Sequence, residues 1–401
     1  MNRSNEWKFL MSDLQGLMNR KIRMGMVGGG PGSFIGEVHR MAARLDNQIE
    51  LVCGVFSSDP IKSRRTGEAL FMNPSRVYDN YAQMIENEAA LSENERMDFV
   101  SIVTPNHMHY PPAVAALKAG FHVMSDKPAT LDILEAKLLK NLVNETGLIY
   151  GLTHTYLGYP MVKQARAMVS NGKLGEIRKI LVEYPQGWLS QFEENSGENK
   201  QAEWRTDPAR SGISGTMGDI GTHAHNLVEY ISGSQMKYIC ADLNIYVKGR
   251  KLDDDGSVLF KMSNGASGTL TASQICAGEE NALKIKIYGE NGGLEWNQME
   301  PFILLHKPHG GAMQTFTAGV DKNNLCDEAY SACRLPSGHP EGYIEAFANL
   351  YKCFAQAIRD PEGYSQNKGL VGINEGVRGM AFIEALVKST NSKDKWIKIK
   401  D

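Results

Sequence analysis

The chain of 401 residues has little net charge and no long apolar run. A formal charge of −3 gives no general attraction for nucleic acid or for an anionic membrane surface. Nowhere do about eighteen apolar residues follow one another, so no segment predicts a membrane-spanning helix. The N-terminus also lacks the compact apolar core and the small-residue cleavage site of a signal peptide. These absences favour a cytoplasmic protein that binds neither nucleic acid nor membranes.

Cysteine is sparse, and its spacing shows no pairs. The six cysteines contain no CxxC motif, and several lie in apolar, strand-like runs, where cysteine behaves as a small hydrophobe. The pattern predicts reduced thiols and no structural zinc or other metal site.

A length of 401 residues suits two domains better than one core. Residues 1–20 are mildly amphipathic, and we expect them to form an N-terminal extension that packs on the protein as an extra helix or arm. Over residues 21–153, short apolar runs alternate with helical stretches, beginning with a strand at Ile22–Val27. Repeated strand–helix units predict an α/β domain with a parallel sheet and right-handed crossovers.

The pattern changes after Thr153. Strand-like runs separated by hairpin signals such as Asn264-Gly265 predict an α+β domain over residues 154–401, with a large, mostly antiparallel sheet. The polar stretch Glu193–Gln201 predicts an exposed loop. Two final helices are predicted at Tyr343–Arg359 and Asn374–Lys388.

A glycine-rich segment from Gly28 to Gly36 follows the first strand and opens a helix. There, glycine permits a sharp turn and lets a pyrophosphate approach main-chain N–H groups at the helix N-terminus. The segment therefore predicts a Rossmann dinucleotide-binding domain, with a loop about three residues longer than GxGxxG if Gly36 is the third glycine. The residues expected to contact the dinucleotide here are Gly28, Gly30, Gly32, Ser33, Phe34 and Ile35.

The second strand ends in Ser57 and Ser58, where an acidic residue would favour NAD. A hydroxyl does not repel a 2′-phosphate, and Lys62 begins a group of basic residues just beyond. The predicted cofactor is therefore NAD(P), with a preference for NADP. The alternative is that the basic side chains form a solvated helix face, and that Asp59 or a backbone group binds the ribose of NAD.

Further motifs follow one another along the chain. They are Thr104-Pro105-Asn106 with His109, Asp126-Lys127-Pro128, Trp204-Arg205, and Gly218-Asp219 with His223. With the glycine loop, they make nearly the whole chain resemble the Gfo/Idh/MocA family of the glucose–fructose oxidoreductase and inositol dehydrogenase type. Two features depart from the family pattern: the tripeptide is usually Glu-Lys-Pro, and the glycine loop is longer than usual.

The resemblance implies a Rossmann domain joined to an open-faced sheet domain, with homodimers or homotetramers assembled through that sheet. It also implies sugars, inositols or related polyols as substrates. Because open α/β sheets bind ligands beyond the carboxyl ends of their strands, residues at those ends are expected to complete the dinucleotide site. These residues are Thr104, Pro105, Asn106, His109, Asp126 and Lys127.

Oxidation of a secondary alcohol needs a base, a group that stabilises the alkoxide, and a hydride acceptor. His223 has an ordinary pKa suited to the base, and Lys127 can hydrogen-bond the reacting oxygen. Asp219 and His223 have i,i+4 spacing, so Asp219 can orient His223 or bind a neighbouring hydroxyl. The resemblance assigns these roles to the same three residues. Taken singly, His223 could be structural, Asp219 a helix N-cap and Lys127 a solvated lysine.

Other residues are candidate substrate contacts: Tyr156, Trp204, Arg205 and His339. Trp204 and Arg205 could equally brace the domain interface. The leading hypothesis is an NAD(P)-dependent oxidoreductase acting on a sugar-like alcohol or ketone. Two alternatives stay open: a glycoside hydrolase that uses NAD for transient oxidation, and a non-catalytic dinucleotide-sensing regulator, which would have no use for the three polar residues together.

Overall fold

The computed structural model describes residues 20–194, 197, 199–320, 325–361 and 369–401. The N-terminal extension predicted for residues 1–20 lies outside this range apart from Arg20. Within the described ranges, no helix combines the length and apolar character needed to cross a membrane. All six cysteines lie within these ranges, and none of them forms a disulfide bond.

Five parallel strands form the first sheet, in the order β2-β1-β3-β4-β5. The predicted parallel α/β architecture is confirmed. β3 is buried along its whole length, as expected when both faces of a parallel sheet are covered. The strands are β1 Ile22–Gly28, β2 Ile49–Val55, β3 Phe99–Val103, β4 His122–Ser125 and β5 Tyr150–Leu152, and the helices are α1 Phe34–Leu45, α2 Pro60–Ala69, α3 Tyr81–Ala90, α4 Tyr110–Lys118 and α5 Ile133–Thr146.

Nine strands form the second sheet, in the order β13-β12-β11-β10-β6-β9-β8-β7-β14. Its neighbouring strands are antiparallel except for the β6–β9 pair, so the predicted mostly antiparallel sheet is confirmed. The strands are β6 Ile177–Pro185, β7 Met236–Asn244, β8 Asp255–Met262, β9 Ser267–Ser273, β10 Lys284–Gly289, β11 Gly292–Asn297, β12 Ile303–Pro308, β13 Gln314–Thr317 and β14 Trp396–Lys398.

Among the residues that the structure describes, helices pack against one face of this sheet, and the other face stays open. Along β8, buried and exposed residues alternate, which is the pattern of a sheet covered on one side. Leu259 on the open face is 51% exposed. The helices of this part are α6 Pro160–Ser170, α7 Lys200–Arg205, α8 Pro208–Ser211, α9 Thr222–Ser232, α10 Asp327–Ser331, α11 Tyr343–Arg359 and α12 Ile373–Asn391, and a π-helical turn, Met217–Gly221, precedes α9.

The prediction of an exposed loop over Glu193–Gln201 is wrong for its last two residues. Lys200 and Gln201 begin α7, whose first turn is capped by Asn199 through a hydrogen bond from the Ala202 amide. The polar composition that suggested a loop here belongs to a helix start.

Helix α11 packs against the Rossmann domain although it lies far along the chain. The ring of Phe347 meets His39 of α1 at 4.6 Å between centroids, and the ring of Phe354 meets Phe99 of β3 at 5.0 Å. The boundary at residue 153 stays a prediction, but the aromatic side chains of α11 are part of the core on the Rossmann side of that boundary.

Candidate active site

The glycine loop fits tightly between β1, the end of β2 and the start of α1. A Cβ on Gly30 would lie 2.4 Å from the carbonyl oxygen of Phe56, and a Cβ on Gly36 would lie 2.3 Å from Cα of Gly29. Ser33 caps α1 by accepting a hydrogen bond from the Gly36 amide at 3.3 Å. The loop thus has the close backbone approach that a pyrophosphate cradle requires, and Gly36 takes the place of the third glycine.

The residues after β2 lie beside this loop. Cβ of Ser57 is 3.7 Å from the position that a Cβ on Gly30 would occupy. Asp59 caps α2, and its Oδ1 accepts the Ile61 amide at 2.9 Å. Lys62 Nζ lies 3.7 Å from the other Asp59 oxygen. Ser57 therefore neighbours the loop, whereas the Asp59 carboxylate is engaged by its own helix.

A cavity of about 760 Å³ opens next to the start of α1. Phe34 and Ile35 of α1 line one side, and Tyr184 and Trp188 line another. The sequence-predicted residues that line it are Phe34, Ile35, Asp126, Lys127, Tyr156, Arg205, Asp219 and His223. Residues from both predicted domains therefore meet at one cavity.

Lys127 and Asp219 form a largely buried ion pair across the cavity. Lys127 Nζ donates to Oδ1 of Asp219 at 2.6 Å and to its backbone carbonyl at 2.7 Å. Behind them, Asp126 turns back to accept the Lys127 amide at 2.8 Å and the Thr153 hydroxyl at 2.9 Å. The Asp126 carboxylate thus holds the backbone from which Lys127 extends.

The second carboxylate oxygen of Asp219 is also occupied. It accepts from Arg205 Nε at 3.1 Å and from Gln274 Nε2 at 2.9 Å. Burial opposes ionisation of Asp219, but the Lys127 and Arg205 cations outweigh it and lower the pKa of Asp219 well below its usual range. The Arg205 guanidinium lies 4.2 Å from the ring centre of Trp204 and 5.9 Å from that of Trp188. Asp219 is therefore ionised and binds two cations, Lys127 and Arg205.

A π-helical turn presents Asp219 to the cavity. The buried carboxylate of Asp253 accepts the Gly215 and Met217 amides, each at 2.8 Å, and so anchors the start of this turn. π-Turns are rare and are frequent at functional sites. The turn runs directly into α9, which carries His223.

His223 contacts a second histidine and not Asp219. Its Nδ1 lies 3.4 Å from Nδ1 of His154, and its ring meets that of Tyr156 edge to face at 5.0 Å. Burial lowers the pKa of His223 well below its usual range, and nearby Lys127 adds to the effect. The Asp219 oxygens bond to Lys127, Arg205 and Gln274, so the expected orientation of the His223 ring by Asp219 has no hydrogen bond to support it and stays a prediction.

Several sequence-predicted residues lie outside the cavity lining. Asn106 is buried, and its Nδ2 donates to the Ser211 carbonyl at 2.9 Å. The ring nitrogens of His109 contact the carbonyls of Pro128 and Thr104 at 2.6 and 2.8 Å, and its side chain does not cap α4. His339 is exposed, and its Nδ1 lies 3.1 Å from the Pro336 carbonyl in its own turn. Also absent from the lining are Gly28, Gly30, Gly32, Ser33, Ser57, Ser58, Lys62, Thr104, Pro105 and Trp204.

The structure adds polar residues that no motif indicated. Tyr184 donates to Oδ1 of Asn281 at 2.6 Å, and Gln186 donates to the same oxygen at 2.7 Å. Lys200 Nζ lies 3.9 Å from the position that a Cβ on Gly32 would occupy. The lining residues missed in the sequence include Thr153, Thr155, Tyr184, Gln186, Trp188, Asn199, Gln201, Asn281, Gln298 and Tyr343. They lie in strands, in loops and in the first turns of helices such as α7 and α11, without a recognisable spacing.

Within the described ranges, no group of three or more His, Cys, Asp or Glu side chains is arranged to hold a metal ion. The cavity offers a paired lysine, an ionised aspartate and a neutral imidazole beside a nucleotide-type glycine loop.

A Rossmann glycine loop beside a cavity that holds these groups is typical of an oxidoreductase that binds a nicotinamide dinucleotide. The chain belongs to the Gfo/Idh/MocA family. Residues 22–154 match the model of the oxidoreductase family with an NAD-binding Rossmann fold, and residues 162–295 match a GFO/IDH/MocA C-terminal domain. The predicted family membership and enzyme class are confirmed.

Three similar proteins span almost the whole chain. An uncharacterised oxidoreductase of Bacillus subtilis (strain 168), YfiI, is 34% identical over 98% of this chain and 100% of its own length. A crystal structure of an oxidoreductase from Sinorhizobium meliloti is 42% identical, with a TM-score of 0.85 over 95% of this chain and 100% of that one. An inositol dehydrogenase homolog from Azotobacter vinelandii, complexed with NAD+, is 34% identical, with a TM-score of 0.90 over 95% and 98% of the two chains.

A second structure of that homolog, complexed with NADH and myo-inositol, is 33% identical to this chain, with a TM-score of 0.86 over 95% and 98% of the two chains.

Proposed function

We propose that the protein transfers a hydride between a nicotinamide dinucleotide and a secondary alcohol or ketone of a sugar, an inositol or a related polyol. The observation that carries this proposal is the meeting of Lys127, Asp219 and His223 in one cavity beside the glycine loop. Lys127 comes from the Rossmann side, and the other two residues come from the second domain. Neither half alone would have the groups that alcohol oxidation needs.

The glycine loop and the residues after β2 are the proposed dinucleotide site. Gly30 and Gly36 leave room where a Cβ would collide with backbone, and the start of α1 offers main-chain N–H groups to a pyrophosphate. The bound nicotinamide supplies the hydride acceptor of the oxidation. Ser57, Ser58 and Lys62 support a preference for NADP, because the first two carry no charge to repel a 2′-phosphate and the third is cationic.

The remaining sequence-predicted contacts of the dinucleotide are the strand-end residues. Asp126 and Lys127 line the cavity next to the start of α1, so they are proposed to lie beside the nicotinamide. Asn106 and His109 are buried behind that edge, where they bond to backbone carbonyls. Their proposed contribution is to hold the loops after β3 and β4 in place.

The cavity suits an uncharged, hydroxyl-rich substrate. Among its described lining residues, the acids Asp126 and Asp219 balance the cations Lys127 and Arg205. Around them are aromatic faces and side-chain amides, which fit the apolar faces and the hydroxyls of a ring polyol. The lining amides are Gln186, Asn199, Gln201, Asn281 and Gln298. A myo-inositol complex of a relative agrees with this substrate class.

Lys127 and His223 are the proposed catalytic groups. The Lys127 ammonium, held by Asp219, donates to the reacting oxygen and stabilises the alkoxide as it develops. The lowered pKa of His223 keeps its ring neutral near pH 7, so it can take the hydroxyl proton. Tyr156 and Arg205 line the cavity and are proposed substrate contacts, whereas Trp204 acts through its contact with Arg205.

The test is a panel of inositols, anhydrosugars, keto-sugars and glycosides, each assayed with NAD+ or NADP+, or with the reduced forms for ketones, by nicotinamide absorbance. We expect steady formation of reduced cofactor with at least one polyol. His223→Ala should lower turnover by about 10²- to 10⁴-fold while the dinucleotide Kd stays within about twofold. The exposed His309, changed to Ala, is the matched control.

Three outcomes separate the alternatives. No binding of either dinucleotide would overturn the proposal. Release of an aglycone without net reduction of the cofactor would identify the glycoside hydrolase instead. Dinucleotide binding without turnover of any compound would favour the regulator. We also propose that the protein forms a homodimer or homotetramer through the open face of the second sheet. Its proposed location is the cytoplasm.

A further inference from the structure

His154 lies directly behind His223 and outside the cavity lining. It follows β5, is 3% exposed, and its Nδ1 is 3.4 Å from Nδ1 of His223. The two rings meet edge to face, with 5.2 Å between centroids and an interplanar angle of 89°. A hydrogen bond between two imidazole nitrogens needs one N–H and one lone pair. One of the two histidines must therefore donate and the other accept.

We propose that His154 is a positioning residue that accepts a hydrogen bond from Nδ1–H of His223 and so leaves Nε2 of His223 free to receive a proton. The inference rests on the proposed role of His223 as the base. A neutral imidazole carries a single proton, and holding it on Nδ1 leaves the lone pair on Nε2. If His154 donated instead, the proton of His223 would have to lie on Nε2, and the residue could not act as a base.

The charged and titratable groups around the pair favour two neutral rings. Burial lowers the pKa of His154 to about 3, with further lowering by the Lys127 and His225 charges. Burial also lowers the pKa of His223, where Lys127 and His154 oppose protonation and Asp219 favours it. Near neutral pH, both rings are therefore neutral, and a single hydrogen atom lies between their two Nδ1 atoms.

The step needs the alcohol substrate, His223 as the proton acceptor and the nicotinamide dinucleotide of the proposed function as the hydride acceptor. As the substrate O–H bond breaks, its proton forms a bond to Nε2 of His223, while the hydride leaves for the dinucleotide. His223 becomes an imidazolium, and its Nδ1–H remains bonded to the lone pair of His154. That hydrogen bond strengthens because its donor is now charged, so His154 stabilises the product state of the transfer more than its starting state.

The direct test measures the tautomers by NMR, with the full-length protein labelled with ¹⁵N in its histidine rings. Loss of a signal in His223→Gln assigns the His223 ring. His122 is an internal standard, because its Nδ1 accepts the Ile149 amide at 3.0 Å and its proton must therefore lie on Nε2. We expect His223 to be protonated on Nδ1 in the wild type. A wild-type His223 protonated on Nε2 would overturn the inference without any measurement of activity.

Two substitutions at His154 extend this test to catalysis. His154→Phe removes the acceptor but keeps a planar ring, and His154→Gln keeps an acceptor oxygen. We expect the Phe variant to shift His223 toward Nε2–H and to lower kcat by about 10- to 100-fold at an unchanged dinucleotide Kd. The Gln variant should retain the Nδ1–H tautomer and recover part of the rate. A purely packing role predicts the reverse order, since Phe preserves the shape better than Gln.

The kinetic outcomes also separate the two proposals. They are measured with the panel compound that reduces or oxidises the cofactor fastest. If His223→Ala keeps full activity, the proposed role of His223 fails. If His223→Ala is inactive but His154→Phe has the wild-type rate, only the role of His154 fails.

Discussion

At Lys127, a single ammonium group connects the two parts of the cavity through Asp219. Changing Asp219 to Asn removes the charge that compensates Lys127 and Arg205, both of which are largely buried. We expect kcat to fall by about 10²-fold or more because the lysine loses its fixed position. The free energy of unfolding should fall by about 3–5 kcal/mol, because two cations are left without their partner. Steady-state kinetics and urea unfolding measure the two effects.

The matched control for Asp219→Asn is Asp394→Asn, an exposed carboxylate in the turn between α12 and β14, outside the cavity lining. It should change neither kcat nor the unfolding midpoint by more than experimental scatter. If Asp219→Asn also keeps both values, the ion pair has no part in positioning Lys127.

Cofactor choice is predicted to depend on Ser57. Its Cβ lies next to the glycine loop, so an acid at this position would face a 2′-phosphate and repel it. We expect Ser57→Asp to lower the ratio of kcat/KM for NADP over NAD by at least about tenfold, which is a difference of about 1.4 kcal/mol. Ser57→Asn matches the added size without the charge and should leave the ratio close to that of the wild type. Equal ratios in the Asp and Asn variants would place the 2′ position elsewhere.

Sequence motifs identify some of these residues and miss others for a physical reason. Lys127 and His223 stand in short motifs whose order along the chain is informative. His154 and Tyr184 reach the same region only because the chain folds them there, and nothing in their immediate neighbours marks them. Gln274 likewise follows β9 in an ordinary polar context, yet it donates to Asp219.

Helix α7 shows what one short element contributes at the cleft. Nζ of its first residue, Lys200, lies 3.9 Å from the position that a Cβ on Gly32 of the glycine loop would occupy. Gln201 and Arg205 of the same helix line the cavity. We expect Lys200→Gln to weaken dinucleotide binding by about two- to fivefold, because an exposed charge contributes about 0.2–1 kcal/mol. The effect should shrink at high salt, since surface charges are screened.

Titration of intrinsic tryptophan fluorescence with NADH at low and high salt measures the Lys200 effect. Lys173→Gln removes an exposed lysine that follows α6 and should bind NADH like the wild type. A Lys200→Gln variant with the wild-type Kd at low salt would remove this lysine from the dinucleotide site.

At the level of elements, local patterns predict the Rossmann strands and α11 well but fail at the rim of the second sheet. The bounds of α11 agree with the expected Tyr343–Arg359, and β1 begins at the expected Ile22 and ends one residue beyond the expected Val27. β14 is a three-residue strand that pairs with β7, far back along the chain. β13 is exposed and short. β14 therefore depends on a partner that is distant in the sequence, which a local pattern does not contain.

At the scale of the whole molecule, α11 binds the Rossmann domain through a buried polar contact that the sequence did not indicate. Nδ1 of His39 lies 2.6 Å from the hydroxyl of Tyr351, which also bonds to Ser101 at 2.8 Å. His39 Nε2 is buried without a hydrogen-bond partner. A protonated His39 would therefore bury an N–H and a charge without compensation.

This contact predicts that acid weakens the fold before most carboxylates titrate. Burial lowers the pKa of His39 from its ordinary 6.5 to about 4. Between these two pH values, His39 is protonated in the unfolded chain but not in the folded protein. The contribution of His39 to the free energy of unfolding is therefore complete above about pH 6.5 and is lost as pH falls toward 4. At pH 5, the loss from His39 is about 2 kcal/mol, since one pKa unit corresponds to about 1.4 kcal/mol.

Urea unfolding of the wild type and of His39→Gln at pH 7 and pH 5 tests this prediction. The Gln variant cannot titrate in this range, so its difference in unfolding free energy between the two pH values should be smaller than that of the wild type by about 2 kcal/mol. His339→Gln removes an exposed histidine and should keep the wild-type difference. If His39→Gln and the wild type lose the same free energy between pH 7 and pH 5, the proton is taken up elsewhere. The contact between α1 and α11 would then not make the fold sensitive to acid.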